Sequence, residues 1–586
     1  LSKQDVSAWK FTLKLARYKF GIFLASGLFA SVMFYIIPLL PGLVLRGFFD
    51  ALAGATAGSD QQIIYNLIGL LVVIALVRVA TLILANVVES TLQFFVNTLL
   101  QRNMLAQILQ QPGARSLPYS SGEAISRFRD DVQAVSAFLS WLMDPIGQAI
   151  GLTVGVIVLY QISPIITLAI FVPLALVVIV LRWAASRIQG YRRAAQASIG
   201  GVTGLIGDLF NSITAVKLAG AESSVVDHLE TLNEVRRKAT LRDTIFSEFI
   251  STVSFNMGSL GTGVLLLAGA GALASNQFTL GDFALFVSYI EWLTIITGMF
   301  GNFLARYRQV TVSFERMLVL MEGAPPEKLV AHHPTYLIGS QPKLPTRQLT
   351  TPLLSRLAVE NLTFVHPDTG RGIRQASFEL SAGTLTVVTG QIGSGKTTLL
   401  RALLGLLPAE GRVYWNGEWI VETAGFLVPP RTAYTPQIPR LFSESLRDNI
   451  LMGMPEGSNG QNRIDPAIRA AVLETDLQTL DQGLETMVGP RGVKLSGGQR
   501  QRTAAARMFA RQPALYVFDD LSSALDVDTE RILWERMFQT EPRPTVLAVS
   551  HRRRVLRQAD QIILLEKGRI ADIGRFDDLA NKLPEN

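Results

Sequence analysis

The sequence predicts a multi-domain molecule: a six-helix α-helical transmembrane domain followed by an α/β domain built around a P-loop. Three observations carry that prediction. Long apolar stretches without charge fill roughly the first 300 residues, in lengths that suit a lipid bilayer. Over roughly the last 240, apolar strand patterns alternate with helical ones, the signature of α/β architecture. Between the apolar run Leu385–Val388 and the helical pattern Leu399–Leu404 stands Thr389-Gly390-Gln391-Ile392-Gly393-Ser394-Gly395-Lys396-Thr397-Thr398. That is the strand, glycine loop and helix order of G-x-x-x-x-G-K-[ST].

Composition averages these two unlike parts. The 586 residues are 49% apolar and 17% charged, with no cysteine, and the mean hydropathy is +0.31. Absence of cysteine excludes disulfides, thiolate metal sites, Fe–S clusters and a cysteine-protease domain. The net charge of +7 does not point to a nucleic-acid partner. In the first half the basic residues fall mostly between hydrophobic segments, as the positive-inside rule expects. The chain starts at Leu1 without Met, so missing N-terminal residues are expected, and no cleavable signal peptide is visible. Lys10, Lys14, Arg17 and Lys19 simply precede the first span.

Gly21 to Leu45 is 25 residues without a charge, enough to cross a hydrocarbon layer about 30 Å thick. Pro38 and Pro41 are expected to kink its far end. Ala51 to Gln62 reads as a short external loop and Ile63 to Val88 as the returning span, interrupted by Arg78. Pro145 to Leu181 is 37 uncharged residues, about 55 Å as helix. It is read as two spans turning at Gln161-Ile162-Ser163-Pro164. Phe249 to Leu273 and Phe283 to Ala305, the latter carrying Glu291, complete six. The charged helical stretches Glu89–Asp144 and Arg182–Glu248 then lie in the cytoplasm and extend the membrane helices. The domain reading is 1–322 for the transmembrane domain, 323–356 for a linker rich in Pro, His and Thr, and 357–586 for the nucleotide-binding domain.

In the P-loop, the backbone N–H groups of Gly390, Gln391, Gly393, Ser394 and Gly395 are placed to curl around phosphate oxygens at a helix N-terminus. Lys396 would reach the β- and γ-phosphates and Thr397 would give its hydroxyl to Mg²⁺, with Thr398 following. Ala514-Leu515-Tyr516-Val517-Phe518-Asp519-Asp520 is a buried strand ending in two carboxylates. Asp519 would hold the Mg²⁺ shell and Asp520 would activate an attacking water. One helix earlier, Leu495-Ser496-Gly497-Gly498-Gln499 opens a second anion-ready helix N-terminus that lacks a lysine.

With these motifs in this order, the chain resembles an ATP-binding cassette (ABC) transporter half-molecule of the exporter type, over nearly its whole length. Gln437 in Tyr434-Thr435-Pro436-Gln437 resembles the Q-loop, a further Mg²⁺ contact, and His551 in Val549-Ser550-His551 the switch histidine. Ser523-Ala524-Leu525-Asp526 resembles the D-loop. Gly122-Glu123-Ala124-Ile125-Ser126-Arg127 and Leu280-Gly281-Asp282-Phe283 resemble segments of the exporter membrane fold, with coupling helices expected near Gln111–Ser121 and Leu209–Leu218. The resemblance implies an ATP hydrolase coupled to transport, with ATP and Mg²⁺ as cofactors. In it, two nucleotide-binding domains pair head to tail, so that Leu495 to Gln499 of one chain act on ATP held by the other. The partner is a second half-transporter chain, a homodimer in preference to a heterodimer. Export of an amphipathic, lipid-like or peptide-like small molecule is expected, with an importer on the same fold as the alternative. The setting is the lipid bilayer, as the bacterial inner (plasma) membrane, with the nucleotide-binding domain in the cytoplasm.

Three positions depart from the family pattern. Asp520 stands where Glu is usual, one methylene shorter, which raises the alternative of a hydrolysis-weak half of a heterodimer. His366 in Phe364-Val365-His366-Pro367 stands where an adenine-stacking aromatic is usual. Pro490 in Val488-Gly489-Pro490-Arg491-Gly492 replaces a common Glu. Within the spans, Arg78 and Glu291 are candidates for the translocation pathway, a mutual salt bridge or snorkelling being the plainer alternative.

Overall fold

The apolar stretches fold as long helices. The computed structural model describes residues 8–54, 61–113, 121–274, 277–341, 353–454, 458–489, 494–521, 525–580 and 582. It divides into two units, Leu1–Ile108 with Pro118–Ser340, and Leu109–Leu117 with Gln341–Asn586.

In the first unit a short helix, Ala8–Tyr18, precedes a 34-residue apolar stretch, Phe20–Ala53. That stretch is interrupted where the proline at 38 removes an N–H and crowds the preceding turn. A π-turn, Val32–Ile36, leads into the break and the helix resumes at Leu39. The helix Gln61–Gln110 then runs 50 residues, about 75 Å at helical rise, so it continues well past the apolar portion into the charged stretch. Asp144–Ile162 and Pro164–Ala219 separate at Ser163, whose backbone is extended (φ −151°, ψ 102°), where the sequence places its charge-free turn. Further on, the chain bends by 79° between the helices Gly190–Phe210 and Ser212–Ala219. This bend falls within the stretch expected to carry the second coupling helix, and Gly220 in the left-handed region ends it. The helices Glu222–Phe255, Met257–Ala274 and Leu280–Leu320 complete the unit.

Among the described residues, four helical stretches are long and apolar enough to span a membrane, or five if the bent pair counts as one span. The expected count of six is not reproduced by that measure; in the fourth predicted span only Pro164–Pro173 stands out, as a shorter apolar helix.

Two features tie this unit together. Thr279 and Asp282 form a reciprocal cap on the helix Leu280–Leu320. Beside it, Arg46 Nε lies 2.8 Å from Asp282 Oδ1, and the Gly281 N–H donates to Asp50 Oδ1 at 3.0 Å. The second feature is a strap. Leu329 and Val330 are fully buried against Leu92, Val96, Leu99 and Phe314. The Asn103 amide donates to Leu329 O and Ala331 O, both at 2.9 Å, and Tyr18 OH donates to His333 O at 2.8 Å. The front of the segment read as a linker therefore packs on the membrane unit.

The second unit holds two sheets. β1 (Arg356–Val365), β2 (Gly372–Ser381), β4 (Glu410–Trp415) and β5 (Glu418–Trp419) form an antiparallel sheet in the order β2-β1-β4-β5. β3 (Leu385–Thr389), β6 (Thr432–Thr435), β7 (Leu515–Asp519), β8 (Thr545–Val549), β9 (Gln561–Glu566) and β10 (Arg569–Gly574) form a second, ordered β10-β9-β3-β8-β7-β6. In it β9, β3, β8, β7 and β6 run parallel and only β10 is antiparallel. Strands β3 and β8 are buried at every residue, as parallel strands covered on both faces must be. One apolar core joins the two sheets around the helix Lys396–Leu403, and another packs the helices Gly497–Ala510 and Val527–Phe538 on the opposite face.

Candidate nucleotide site

Parallel α/β sheets bind ligands at the carboxyl ends of their strands, and the residues singled out by sequence gather there. The loop after β3 is the P-loop, the turn after β8 carries His551, β7 ends at Asp519 with Asp520 next, and Gln437 follows β6. These four strands are neighbours in the order β3-β8-β7-β6, so segments far apart in sequence converge.

Glycine is required at two points of the loop. Gly390 has φ +142°, and a Cβ there would stand 2.1 Å from Leu565 O. Gly395 caps the helix with φ +105°. Lys396 folds its ammonium back onto the carbonyls of Gly390 and Gln391, both at 2.9 Å, inside the curve of the loop. Partial burial pulls its pKa down, while Asp520 and Asp519 pull it back up. Ser394 is buried and its Oγ has no hydrogen-bond partner; a phosphate oxygen would satisfy it. Gln391 and Gly393 are exposed on the loop, and Thr398 is half-buried on the first helical turn.

Asp519 is almost wholly buried and both its oxygens accept from hydroxyls. Thr397 Oγ1 donates to Oδ1 at 2.9 Å and Tyr434 OH to Oδ2 at 3.0 Å. Burial raises its pKa and the two hydrogen bonds lower it. Asp520 sits in the left-handed region at φ +53°, which Asp tolerates better than most residues. Gln437 Nε2 donates to Asp520 Oδ2 at 3.1 Å, and Gln501 Nε2 to the Asp520 carbonyl at 3.3 Å. His551 is held below the usual imidazole range, first by burial and then by the Lys396 charge, with Asp520 pulling it upward. Thr397 and Asp519 are hard oxygen donors in contact, and Gln437 reaches the neighbouring Asp520, a set whose oxygens suit Mg²⁺.

The remaining expectations divide. Ser496 caps the helix Gly497–Ala510, accepting from Gln499 N at 3.2 Å while Ser496 N donates to Gln499 Oε1 at 3.0 Å. Gln499 is braced by Asp476, which also forms a two-pronged pair with Arg502 at 2.7 and 2.8 Å. Leu495 is buried with Leu441, Leu446 and Val488, while Gly497 and Gly498 occupy the first helical turn. His366 directly follows β1, half-buried, its ring edge-on to Phe364 at 4.8 Å. Arg78 and Glu291 are exposed, and among the described residues no ion pair joins them. Pro490, Arg491, Gly492, Ser523, Ala524 and most of Gln111–Ser121 lie outside the described residues. In the sequence Tyr434 stands out only as a neighbour of Gln437. The missed signal is strand periodicity: Tyr434 pairs with Val517 in parallel register, so Asp519, two residues on, shares its face.

Helices of membrane length joined to a sheet whose strand ends carry a P-loop and a paired acidic terminus define a membrane-bound P-loop nucleotide-binding protein. The ABC transporter transmembrane region family matches residues 20–296 and the ABC transporter family residues 373–523. The chain belongs to the ABC transporter family, with one membrane region fused to one nucleotide-binding domain. A Mycobacterium tuberculosis multidrug efflux ATP-binding/permease protein is 28% identical over 83% of this chain. A Bacillus subtilis probable multidrug resistance ABC transporter ATP-binding/permease protein is 26% identical over 78% of this chain and 76% of its own length. The chain spans only 39% of the Mycobacterium tuberculosis protein, and 47% of a Caenorhabditis elegans heavy metal tolerance factor that is 28% identical to it. The structure of a bacterial Atm1-family ABC exporter with ATP bound superposes with a TM-score of 0.73 at 22% identity, over 97% of each chain. That likeness establishes the exporter-type fold.

Proposed function

We propose that this chain is one half of an ATP-driven exporter, working as a dimer and moving an amphipathic, lipid-like or peptide-like molecule out of the cytoplasm. The observation that carries this reading is the convergence of Lys396, Thr397, Asp519, Asp520, Gln437 and His551 at the carboxyl ends of adjacent parallel strands. Names given to similar proteins, multidrug efflux and fatty acid transport among them, favour cargo with an apolar portion.

Each residue has a physical task in this reading. The loop N–H groups and Ser394 Oγ bind phosphate oxygens, and Lys396 exchanges its two carbonyl contacts for the β- and γ-phosphates. Thr397, Asp519 and Gln437 would hold Mg²⁺, which neutralises charge on the transferring phosphate. Asp520 accepts the proton of the attacking water while Gln437 fixes its carboxylate. His551, neutral at pH 7, can accept or donate a hydrogen bond beside Asp520 without adding a charge. Ser496, Gly497 and Gly498 have no lysine among them and would complete the site of a second chain.

A homodimer is the first reading. The second is a heterodimer in which this chain is the hydrolysis-weak member, favoured by the shorter reach of Asp520; a displacement of about 1 Å can cost on the order of a hundredfold. The test is Mg²⁺-dependent ATPase of the purified chain, with Asp520→Asn as control. Turnover by the chain alone, lost in that variant, removes the heterodimer reading; turnover only when another half-transporter is added removes the homodimer. Uptake of a fluorescent amphiphile into inverted vesicles separates export from import.

A further inference from the structure

The helix Ala8–Tyr18 has three faces. Ala8, Phe11, Thr12, Leu15 and Ala16 are buried on the membrane unit. Trp9, Leu13 and, just past the helix end, Phe20 are exposed and apolar, at 44%, 42% and 57% exposure. Lys10, Lys14 and Arg17 lie on the remaining face, exposed, and the helix carries no acidic residue. Such an element belongs at a membrane–water boundary, apolar side toward acyl chains and basic side toward headgroups. Its position immediately before the apolar stretch Phe20–Ala53 places it there independently.

Beside it lies a cavity of about 680 Å³, lined by Tyr18, Lys19, Ile22, Phe95 and the strap from His332 to Ile338. Its chemistry is divided. Ile22, Phe95, Leu337 and Ile338 give an apolar wall, and Tyr336, Leu337 and Ile338 are 47%, 45% and 76% exposed, three consecutive large side chains presented outward. Lys19 is half-buried in the same wall, with its ammonium 4.7 Å from the Phe95 ring centre and 5.8 Å from that of Tyr18. Among the described residues no carboxylate pairs with it. A half-buried cation beside an apolar trough matches a molecule that is anionic at one end and hydrocarbon at the other.

We propose that this cavity binds an anionic phospholipid of the cytoplasmic leaflet, with Lys19 at the phosphate and the first carbons of an acyl chain along Ile22, Phe95, Leu337 and Ile338. The strap is held by Asn103 at Leu329 and Ala331 and by Tyr18 at His333, just ahead of the wall residues Leu337 and Ile338. Lys14 is tied in as well, because its carbonyl meets His332 Nε2 at 2.8 Å. Bound lipid would cover the exposed apolar side chains of the strap and fix the start of the first span against it. The site is independent of the nucleotide chemistry.

The test is native mass spectrometry of the full chain released from detergent with phosphatidylglycerol or phosphatidylcholine of matched acyl chains. The wild-type chain should retain phosphatidylglycerol in preference. One basic contact to an anionic lipid corresponds to a change of about fivefold, so Lys19→Gln should lower retention by about that factor. Lys19→Arg should keep it, and Lys10→Gln, on the outer face, should change it less. Raising salt should weaken the wild-type preference, which tests the same contact even if Lys19→Gln does not fold. Equal retention of both lipids, or a preference unchanged by Lys19→Gln and by salt, overturns the proposal. Equal competition by glycerol 3-phosphate would assign the site to a soluble phosphate and also overturn it.

Discussion

The Gln437 amide donates to Asp520 Oδ2 at 3.1 Å, so the residue after β6 orients the carboxylate after β7. Asp520 is thereby aimed, although it is a methylene shorter than Glu. Asp520→Asn should keep nucleotide binding and lose hydrolysis by at least about a hundredfold, in the range expected for removing a general base. Asp520→Glu should raise turnover by up to about a hundredfold if reach is limiting. It should also cost about 1 kcal/mol of stability, because φ at this position is +53° and Glu lacks the local tolerance of Asp. Phosphate-release kinetics and thermal unfolding measure the two effects.

Ser394 Oγ is buried without a partner. Ser394→Ala should stabilise the nucleotide-free chain by about 1 kcal/mol, the cost of leaving a buried hydroxyl unsatisfied. The same change should weaken ATP binding. Melting temperatures with and without a non-hydrolysable ATP analogue should therefore move in opposite directions relative to wild type.

His551 has its pKa depressed below 6.5 by burial and by Lys396. The unfolded chain thus takes up this proton at higher pH than the folded chain does. As pH falls through the window between 6.5 and the lower folded value, stability contributed at neutral pH is lost, and below that window the loss is complete. Hydrolysis should decline only at the lower end of that window, as pH falls through the folded value and a charged imidazole forms beside Lys396. His551→Ala should lower the neutral-pH rate and remove that part of the pH dependence of unfolding.

A Cβ on Gly281 would stand 2.2 Å from the Arg46 carbonyl and 2.5 Å from the Asp50 carboxylate. Gly281→Ala should force apart the helices Leu39–Gly54 and Leu280–Leu320 and cost about 1–3 kcal/mol. Arg46→Ala, which leaves Asp282 in its capping role, should cost less. Unfolding of the detergent-solubilised chain, followed by intrinsic fluorescence, ranks the two.

The nucleotide-binding half was legible in sequence because its chemistry is local. The P-loop, the paired carboxylates, Gln437 and His551 each follow a short apolar strand, and parallel strands bring their carboxyl ends together whatever the loops between them. Lys396, Thr397, Asp519 and Asp520 are readable from that pattern, whereas Gln437 and His551 are readable only through the resemblance to ABC transporters. Tyr434 could not be given a role, since its hydroxyl finds Asp519 only through the register of β6 on β7. Likewise the pairing of Asp476 with Arg502 joins residues on separate elements with no shared pattern. The strap illustrates a different limit. Pro and His clusters signal a break in regular structure, but say nothing of what an irregular segment rests on, and here Asn103 supplies the bonds that a helix or strand would otherwise provide.

The two hydroxyls on Asp519 come from opposite sides, one from the P-loop helix and one from the outermost parallel strand. Asp519 is therefore held at once by the P-loop helix and by β6. If β6 slides or tilts by more than a few tenths of an ångström, Tyr434 releases one oxygen and the carboxylate is free to swing. A force pulling on β6, which leads to Gln437, would therefore reach the Asp519 carboxylate through Tyr434 without any change in the loop after β3.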